Sequence, residues 1–293
     1  MGDVLAGIHA TWEFGSDSVL IRFERGIRAP KLFQALRERR IPHEALESVT
    51  LSQGKRGTVV LHAVPRPGAD PLMEAAAGQL KEACDPYRLV LPAEREMLAE
   101  YYADELRSSL VPHASKPADR HLVAAPGAPL NFKAYDARAA FDGRQVSFRW
   151  FWTGASSEKW KAGDQTFPIA ALSGVEWRSP DVFDGHLRLL HREPEGSTGR
   201  SAGPADRDPA SVVFGLGYGP VHESLPFAAA VLAAVRDGGG GPSIPHQTVP
   251  APAGRRDPAD IAERIRHLGD LHRAGLVTDD EFSAKKAELL AEL

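Results

Sequence analysis

"FGSDSVLIRF" (Phe14–Phe23) has a twin further down the chain, "FDGRQVSFRW" (Phe141–Trp150). Phe14 aligns with Phe141, Val19 with Val146 and Arg22 with Arg149 at one constant offset. In both stretches apolar and polar residues alternate: Val19, Ile21 and Phe23 in the first, Val146, Phe148 and Trp150 in the second. That period of two predicts a half-buried antiparallel strand in each. Two further pairs follow in the same order. "IPHEALESVTL" (Ile41–Leu51) aligns with "FPIAALSGVEW" (Phe167–Trp177) through the proline, the Ala-Leu pair and the valine, and "GTVVLHAV" (Gly57–Val64) matches "GHLRLLHR" (Gly185–Arg192) in pattern. An ordered series with small drifts in offset is what insertions in a duplicated domain leave behind.

Each copy reads as strand-rich and closed by a helix. In the first, "DPLMEAAAGQLKEAC" offers Asp70 as N-cap, Pro71 at the first helical position, and Leu72, Ala76 and Leu80 on one face. In the second, "SLPFAAAVLAAVRDG" has Ser224 as cap, Phe227, Val231 and Val235 inward, and Gly238 as the stop. A further amphipathic helix, "PAEREMLAEYYADELRSSL" (92–110), with Leu98, Tyr101, Tyr102 and Leu106 on its apolar side, finds no counterpart in the second copy. The fold class is α+β, mostly β: two small sandwiches or partly open barrels, each closed by a helix, and a C-terminal two-helix hairpin.

The copies span 1–111, with the extra helix 92–110, and 130–237. A Gly/Pro-rich linker (238–256) then leads to the hairpin (257–293). "STGRSAGPADRDPAS" (Ser197–Ser211) reads as a long loop within the second copy. In a chain of 293 residues, 43% hydrophobic and 25% charged, this is ordinary globular composition. A net charge of −4 argues against general affinity for nucleic acid. The single cysteine, Cys84, excludes an intrachain disulfide and a Cys-based zinc site. With no secretory signal or spanning apolar run, a cytoplasmic protein is expected, with peripheral membrane contact left open.

Chemistry is sparse. The eleven histidines form no H-x-x-x-H or H-E-x-x-H spacing, no G-x-S-x-G elbow occurs, and "FGLGYGP" (Phe214–Pro220) lacks the lysine of a P-loop. The reading is therefore no enzyme, no metal and no cofactor. Two basic clusters flank the second predicted strand of the first copy: "RERR" (Arg37–Arg40) and "GKRG" (Gly54–Gly57). If they met at one rim, Arg37, Arg39, Arg40, Lys55 and Arg56 would form an anion-binding mouth. The plainer alternative is a solvated helix face and a charged hairpin tip, with Glu38 and Glu44 nearby. "SSEKWKAGD" (Ser156–Asp164) in the matching region has no arginine cluster, so such a site would belong to the first copy alone.

In the tail, Ile261, Ile265, Leu268 and Leu271 recur at helical spacing. Gly275 ends that helix, and Thr278 with Glu281 forms a capping box opening a second. Phe282, Leu289 and Leu290 give it its apolar side, and with Leu276 of the turn they join the candidate self-association residues. A hairpin this short cannot bury a core of its own, so it docks on the body or pairs with another copy. The tether favours self-association.

"IAERIRHLGDLHRAGLVTDDEFSAKKAELL" resembles the bacterial short C-terminal domain called SHOCT, with Leu268, Leu271, Gly275, Leu276, Thr278, Glu281, Phe282, Lys285 and Leu289 in place. "LFQALRERRIPHEALESVTL", "RPGADPL" and "DPYRLVLP" resemble the DUF4429 family of actinobacterial proteins of unknown function, and the second copy matches more loosely. The resemblance implies oligomerisation or interaction through the hairpin, and company with PH-like sandwiches of seven strands in two sheets with one end closed by a helix. The functional expectation is a non-enzymatic cytoplasmic scaffold of two PH-like modules that self-associates through 257–293 and binds another protein or peptide. The alternative is a sensor of a ligand, phosphorylated peptide or lipid headgroup at the basic rim. No nucleic-acid partner is expected.

Overall fold

The computed structural model describes residues 3–192, 203–215 and 222–238, all within one compact unit, Met1–Pro242. The hairpin residues Ile261, Ile265, Leu268, Leu271, Leu276, Phe282, Leu289 and Leu290, and nearly all of the linker, lie outside the described residues.

The first copy opens with β1 (Asp3–Ala6), β2 (Ala10–Phe14), β3 (Ser18–Phe23), α1 (Lys31–Leu36) and β4 (Glu38–Pro42). These strands form an antiparallel sheet in chain order. Pro42 has no N–H with which to extend the ladder, and a 3-10 turn at His43–Ala45 swings the chain into a second sheet. That sheet holds β5 (Leu46–Gln53), β6 (Thr58–Pro65) and β7 (Arg88–Pro92), with α2 (Pro71–Ala76) inserted between β6 and β7. The helix α3 (Glu96–Ser108) follows.

The second copy repeats this order. Its first sheet is β8 (Leu130–Lys133), β9 (Ala137–Phe141), β10 (Gln145–Trp150) and β11 (Gln165–Pro168), with α4 (Ser157–Ala162) before the last strand. Its second sheet is β12 (Leu172–Arg178), β13 (His186–His191) and β14 (Ser211–Val213), and α5 (Ser224–Arg236) closes it. The expected alternation is realised: Val19, Ile21, Val146, Phe148 and Trp150 are all essentially inaccessible, and Phe23 nearly so. Both copies turn the corner with a proline and a 3-10 turn, at Pro42 and Pro168. Both then slip register at the same place, between Leu46 and Ser48 and between Leu172 and Gly174. A shared irregularity at matching positions marks the two halves as copies more firmly than shared strands do.

One assignment changes. The helix expected over residues 70–84 of the first copy is only α2, six residues long. Asp70 caps it as expected, accepting from Leu72 N. Ala77 and Gly78 then both take positive φ, which no continuing helix tolerates. "DPYRLVLP", read as a turn and exit, contains β7. With that strand counted, α3 stands after the seventh strand just as α5 does, so 92–110 holds the closing helix and α2 is the extra one. The buried face of α3 is Ala99, Tyr102, Ala103 and Leu106, whereas Leu98 and Tyr101 are largely exposed. Tyr102 stacks on Phe14, ring centroids 4.1 Å apart, and fixes the helix to the first sheet.

The extra helix has a use. Leu72, Ala75 and Ala76 of α2, with Leu32 of α1, belong to the core of the second copy, against Phe227, Val231 and Trp177. The next residue along α1, Phe33, belongs to the core of the first. The Gln79 side chain donates to Trp177 O and accepts from Ser179 N, both at 3.0 Å, clasping the end of β12. The two copies are thus joined by shared apolar packing.

Candidate functional site

The five basic residues of the expected rim go to different places. Arg39, on β4, is buried, and its Nη2 donates to Asp70 Oδ1 at 2.7 Å. Its Nε donates to the Tyr87 hydroxyl at 3.2 Å, and that hydroxyl donates to Asp70 Oδ2 at 2.5 Å. The third duty of Asp70 is the cap of α2, at 2.8 Å from Leu72 N. Burial pulls the Arg39 pKa down, but Tyr87 and Asp70 outweigh it and hold it above the ordinary value. Burial pushes the Tyr87 phenol well up. The guanidinium is charged and held in the interior by Asp70 and Tyr87, away from the exposed Arg40, and these partners lie far along the chain. Arg40 is exposed and donates to Ser18 Oγ at 2.9 Å. Lys55 and Arg56 occupy the β5–β6 turn, in the other sheet. Arg37 faces a cleft described below.

The second copy has its own buried ion pair at a different place. Lys159 Nζ of α4 donates to Asp136 Oδ2 at 2.6 Å and lies 5.1 Å from the Trp150 ring centroid. Val213 N donates to the other carboxylate oxygen at 2.9 Å. Burial raises the Asp136 pKa and lowers that of Lys159, while their mutual attraction opposes both shifts. The pair ties α4 to the β8–β9 turn and the end of β14.

On the outer face of the same sheet the register sets Lys133 opposite Arg138, and Arg138 opposite Arg149. Extending the β10–β11 ladder by one residue, Arg149 meets Asp164, its Nε 3.7 Å from Oδ2. The corresponding row of the first copy is Ala6, Thr11, Arg22 and Glu38. There the single cation is paired with both Glu13 and Glu38. Like charges directly opposite one another weaken a sheet by a few tenths of a kcal/mol, so the second copy carries a charge pattern that its fold does not require. Just beyond this row, Tyr135, Trp152 and Trp160 are exposed, with the two indole rings 5.4 Å apart, edge to face. Lys133 Nζ lies 5.2 Å from the Phe151 ring centroid.

A cleft of about 510 Å³ opens where the copies meet. From the first copy it is lined by Lys31, Gln34, Ala35 and Arg37, and from the second by Leu130, Asn131, His222, Glu223 and Pro226. Burial lowers the His222 pKa, and Lys31 lowers it further against the pull of Glu223 and Asp181. Arg37 ends α1 with φ 62° and ψ −61°, donating its N–H to Phe33 O at 2.9 Å. Positive φ combined with negative ψ is costly for any residue with a Cβ, about 1–3 kcal/mol.

With both copies and their surfaces placed, their kinship can be named. A family model described as a domain of unknown function, DUF4429, matches the chain twice, over residues 12–107 and 139–232. The chain belongs to the DUF4429 family. Both matches end inside the helix that follows the seventh strand, α3 in one case and α5 in the other, which agrees with equating those two helices. No curated protein matches the chain.

For this family member the three stretches that carried the resemblance meet at one point: each gives one residue to the Arg39–Asp70–Tyr87 cluster. The cluster fixes β4, α2 and the entry to β7 on one another. Cys84 is half-buried, and burial raises its thiol pKa, as suits an inert side chain. Lys31, His222, Lys133 and Arg138 drew no notice in the sequence. The signal for the last two was the alignment of the copies, which sets Arg138 against Thr11. Among the described residues no helix is long and apolar enough to cross a membrane.

Proposed function

We propose that the chain is a non-enzymatic interaction scaffold, built from two PH-like modules and assembled into homo-oligomers by a SHOCT hairpin at 257–293. The observation that carries this reading is the element order: four strands, three strands and a closing helix, given twice and joined through a shared core. This is the order expected of PH-like sandwiches. α5 ends at Arg236 beside the first copy, where the guanidinium donates to Gly68 O at 3.3 Å and Asp119 O at 3.2 Å. The Gly-rich tether therefore starts at the junction of the two modules. A cytoplasmic placement belongs to the same proposal. Light scattering on the full chain and on a form ending at Pro252 tests it. An oligomer that becomes a monomer on truncation is expected, and two monomers would refute assembly through the tail.

A second reading, recognition of an anionic headgroup or phosphorylated peptide, is favoured by the Lys133–Arg138–Arg149 row beside the exposed indoles. It moves the sensor alternative from the first copy to the second. Flotation of the protein with anionic vesicles, reversed by salt and abolished by Arg138→Ala, would support a headgroup.

A further inference from the structure

The two copies offer a controlled comparison at the end of the helix before the fourth strand. In the second copy α4 ends at Gly163, with φ 70° and ψ 179°, so the two positions share the sign of φ but not ψ. In the first, α1 ends at Arg37, with φ 62°. The alignment that pairs Pro42 with Pro168 pairs these two residues as well. Both are followed by the first sheet's last strand, and in both the backbone N–H returns to the helix, to Phe33 O and to Trp160 O. Glycine takes such a φ with no Cβ penalty, and one copy of this fold uses it. The other keeps an arginine there. Ala77, another non-glycine of positive φ, lies in the ordinary left-handed well at ψ 42°. Arg37, at ψ −61°, lies outside that well.

The Arg37 main chain serves the fold, its N–H returning to Phe33 O and its carbonyl accepting from Phe23 N, both at 2.9 Å, and glycine could make both bonds. The Arg37 side chain is exposed, and among the described residues it makes no ion pair. The same holds for Lys31, at the other end of α1. Both line the cleft between the copies, together with His222, Gln34 and Asn131. Glu223 is the one acid in the lining, so two fixed positive charges face one negative. Leu130, Ala35 and Pro226 supply apolar wall. The cleft is concave, its volume is within the usual range for small-ligand sites, and its lining is mostly polar and charged, as suits a charged ligand more than an apolar one.

We infer that the cleft between the two copies binds a small phosphorylated molecule, with Arg37 and Lys31 gripping the phosphate and His222 alongside. Arginine presents a planar fork that matches phosphate oxygens, and lysine adds a compact point charge. Neutral histidine can donate one N–H to the same group. The body of the ligand lies along Leu130 and Pro226, within reach of the Asn131 carboxamide. Because the walls come from both copies, occupancy links them. This inference is independent of the tail and of assembly.

The test uses the full chain and three probes: inorganic phosphate, a mononucleotide, and vesicles containing a phosphorylated headgroup. Thermal unfolding and calorimetric titration are measured for the wild type, Arg37→Gly and Lys31→Ala. The expected result is a concentration-dependent rise in Tm with the mononucleotide, weaker with phosphate, and at least tenfold weaker binding in both variants. Arg37→Gly is also expected to unfold at the same or a higher temperature than the wild type without ligand, since glycine relieves the backbone. That combination separates a binding role from a structural one. The inference is overturned if no soluble probe binds at millimolar concentration, if Arg37→Gly binds as well as the wild type, or if only vesicles bind. A loss of unliganded stability in Arg37→Gly would also overturn it, by showing that the side chain serves the fold.

Discussion

Replacing Asp70 by alanine tests the buried cluster most directly. Asp70 is wholly inside, pairs with Arg39, accepts from the Tyr87 hydroxyl and caps α2. Removing it leaves a guanidinium buried without a counter-ion, which typically costs about 3–5 kcal/mol. The lost cap adds about 1 kcal/mol. The sum, roughly 4–6 kcal/mol, approaches the whole stability of an ordinary domain, about 5–15 kcal/mol. Because α2 also packs into the core of the second copy, the damage should not stay in the first. Urea unfolding followed by tryptophan fluorescence and circular dichroism measures it. The variant should unfold at much lower urea, with both signals moving together. The double variant Arg39→Met with Asp70→Ala should recover much of the loss, since it removes the stranded charge. The reasoning fails if Asp70→Ala costs less than about 1.5 kcal/mol, the net worth of one ordinary hydrogen bond, or if the double variant is no better than the single one. Either result would mean that Arg39 reaches water when its partner is gone.

Two further predictions follow the same physics. Lys159→Met should cost about 3–5 kcal/mol near neutral pH, because it strands the Asp136 carboxylate. Burial already raises the pKa of that carboxyl, so the folded variant takes up its proton more readily than the unfolded chain, and the deficit relative to wild type should shrink on acidification. A deficit that does not change with pH would refute this. His222 and His43 both have pKa values lowered by burial. The unfolded chain then binds more protons between the folded pKa and about 6.5, so stability rises with pH across that window and is lost as pH falls through it. His222→Gln and His43→Gln should each flatten the slope of urea midpoint against pH below about 6.5; an unchanged slope would exclude the residue concerned.

What was legible in the sequence was local or repeated. Val19, Ile21 and Phe23 declare a strand by period alone, because successive side chains point to opposite faces. Phe227, Val231 and Val235 declare a helix in the same way. The alignment of the copies added the Pro42 and Pro168 corners. DPYRLVLP misled for a physical reason. Its strand is short, begins beside a proline and a tyrosine, and is recognised only by its partner β6. Missing that strand made α2 look like the closing helix.

The candidate sites were legible only in part. Arg37 was singled out for its basic neighbours, yet its neighbours in space are Lys31 and His222, the latter from the other copy. Arg39 carried the same sequence signal and has the opposite fate. On a strand, adjacent residues face opposite sides, so within "RERR" Arg39 enters the core while Arg40 stays outside. Which side is the core depends on the sheet above it, and which acid waits there depends on a loop 31 residues away. By itself the sequence determined the duplication, the strand and helix periods and the Asp70 cap, since these arise from contacts within a few residues. Ser224, expected to cap the last helix, is instead its first residue, with Glu223 at the cap position, and its buried hydroxyl accepts from Trp177 Nε1 at 2.9 Å, a partner 47 residues away. Only the tertiary structure decided which charges are spent in the interior and which meet across the two copies, because pairing in space follows the packing of distant segments and not their order along the chain.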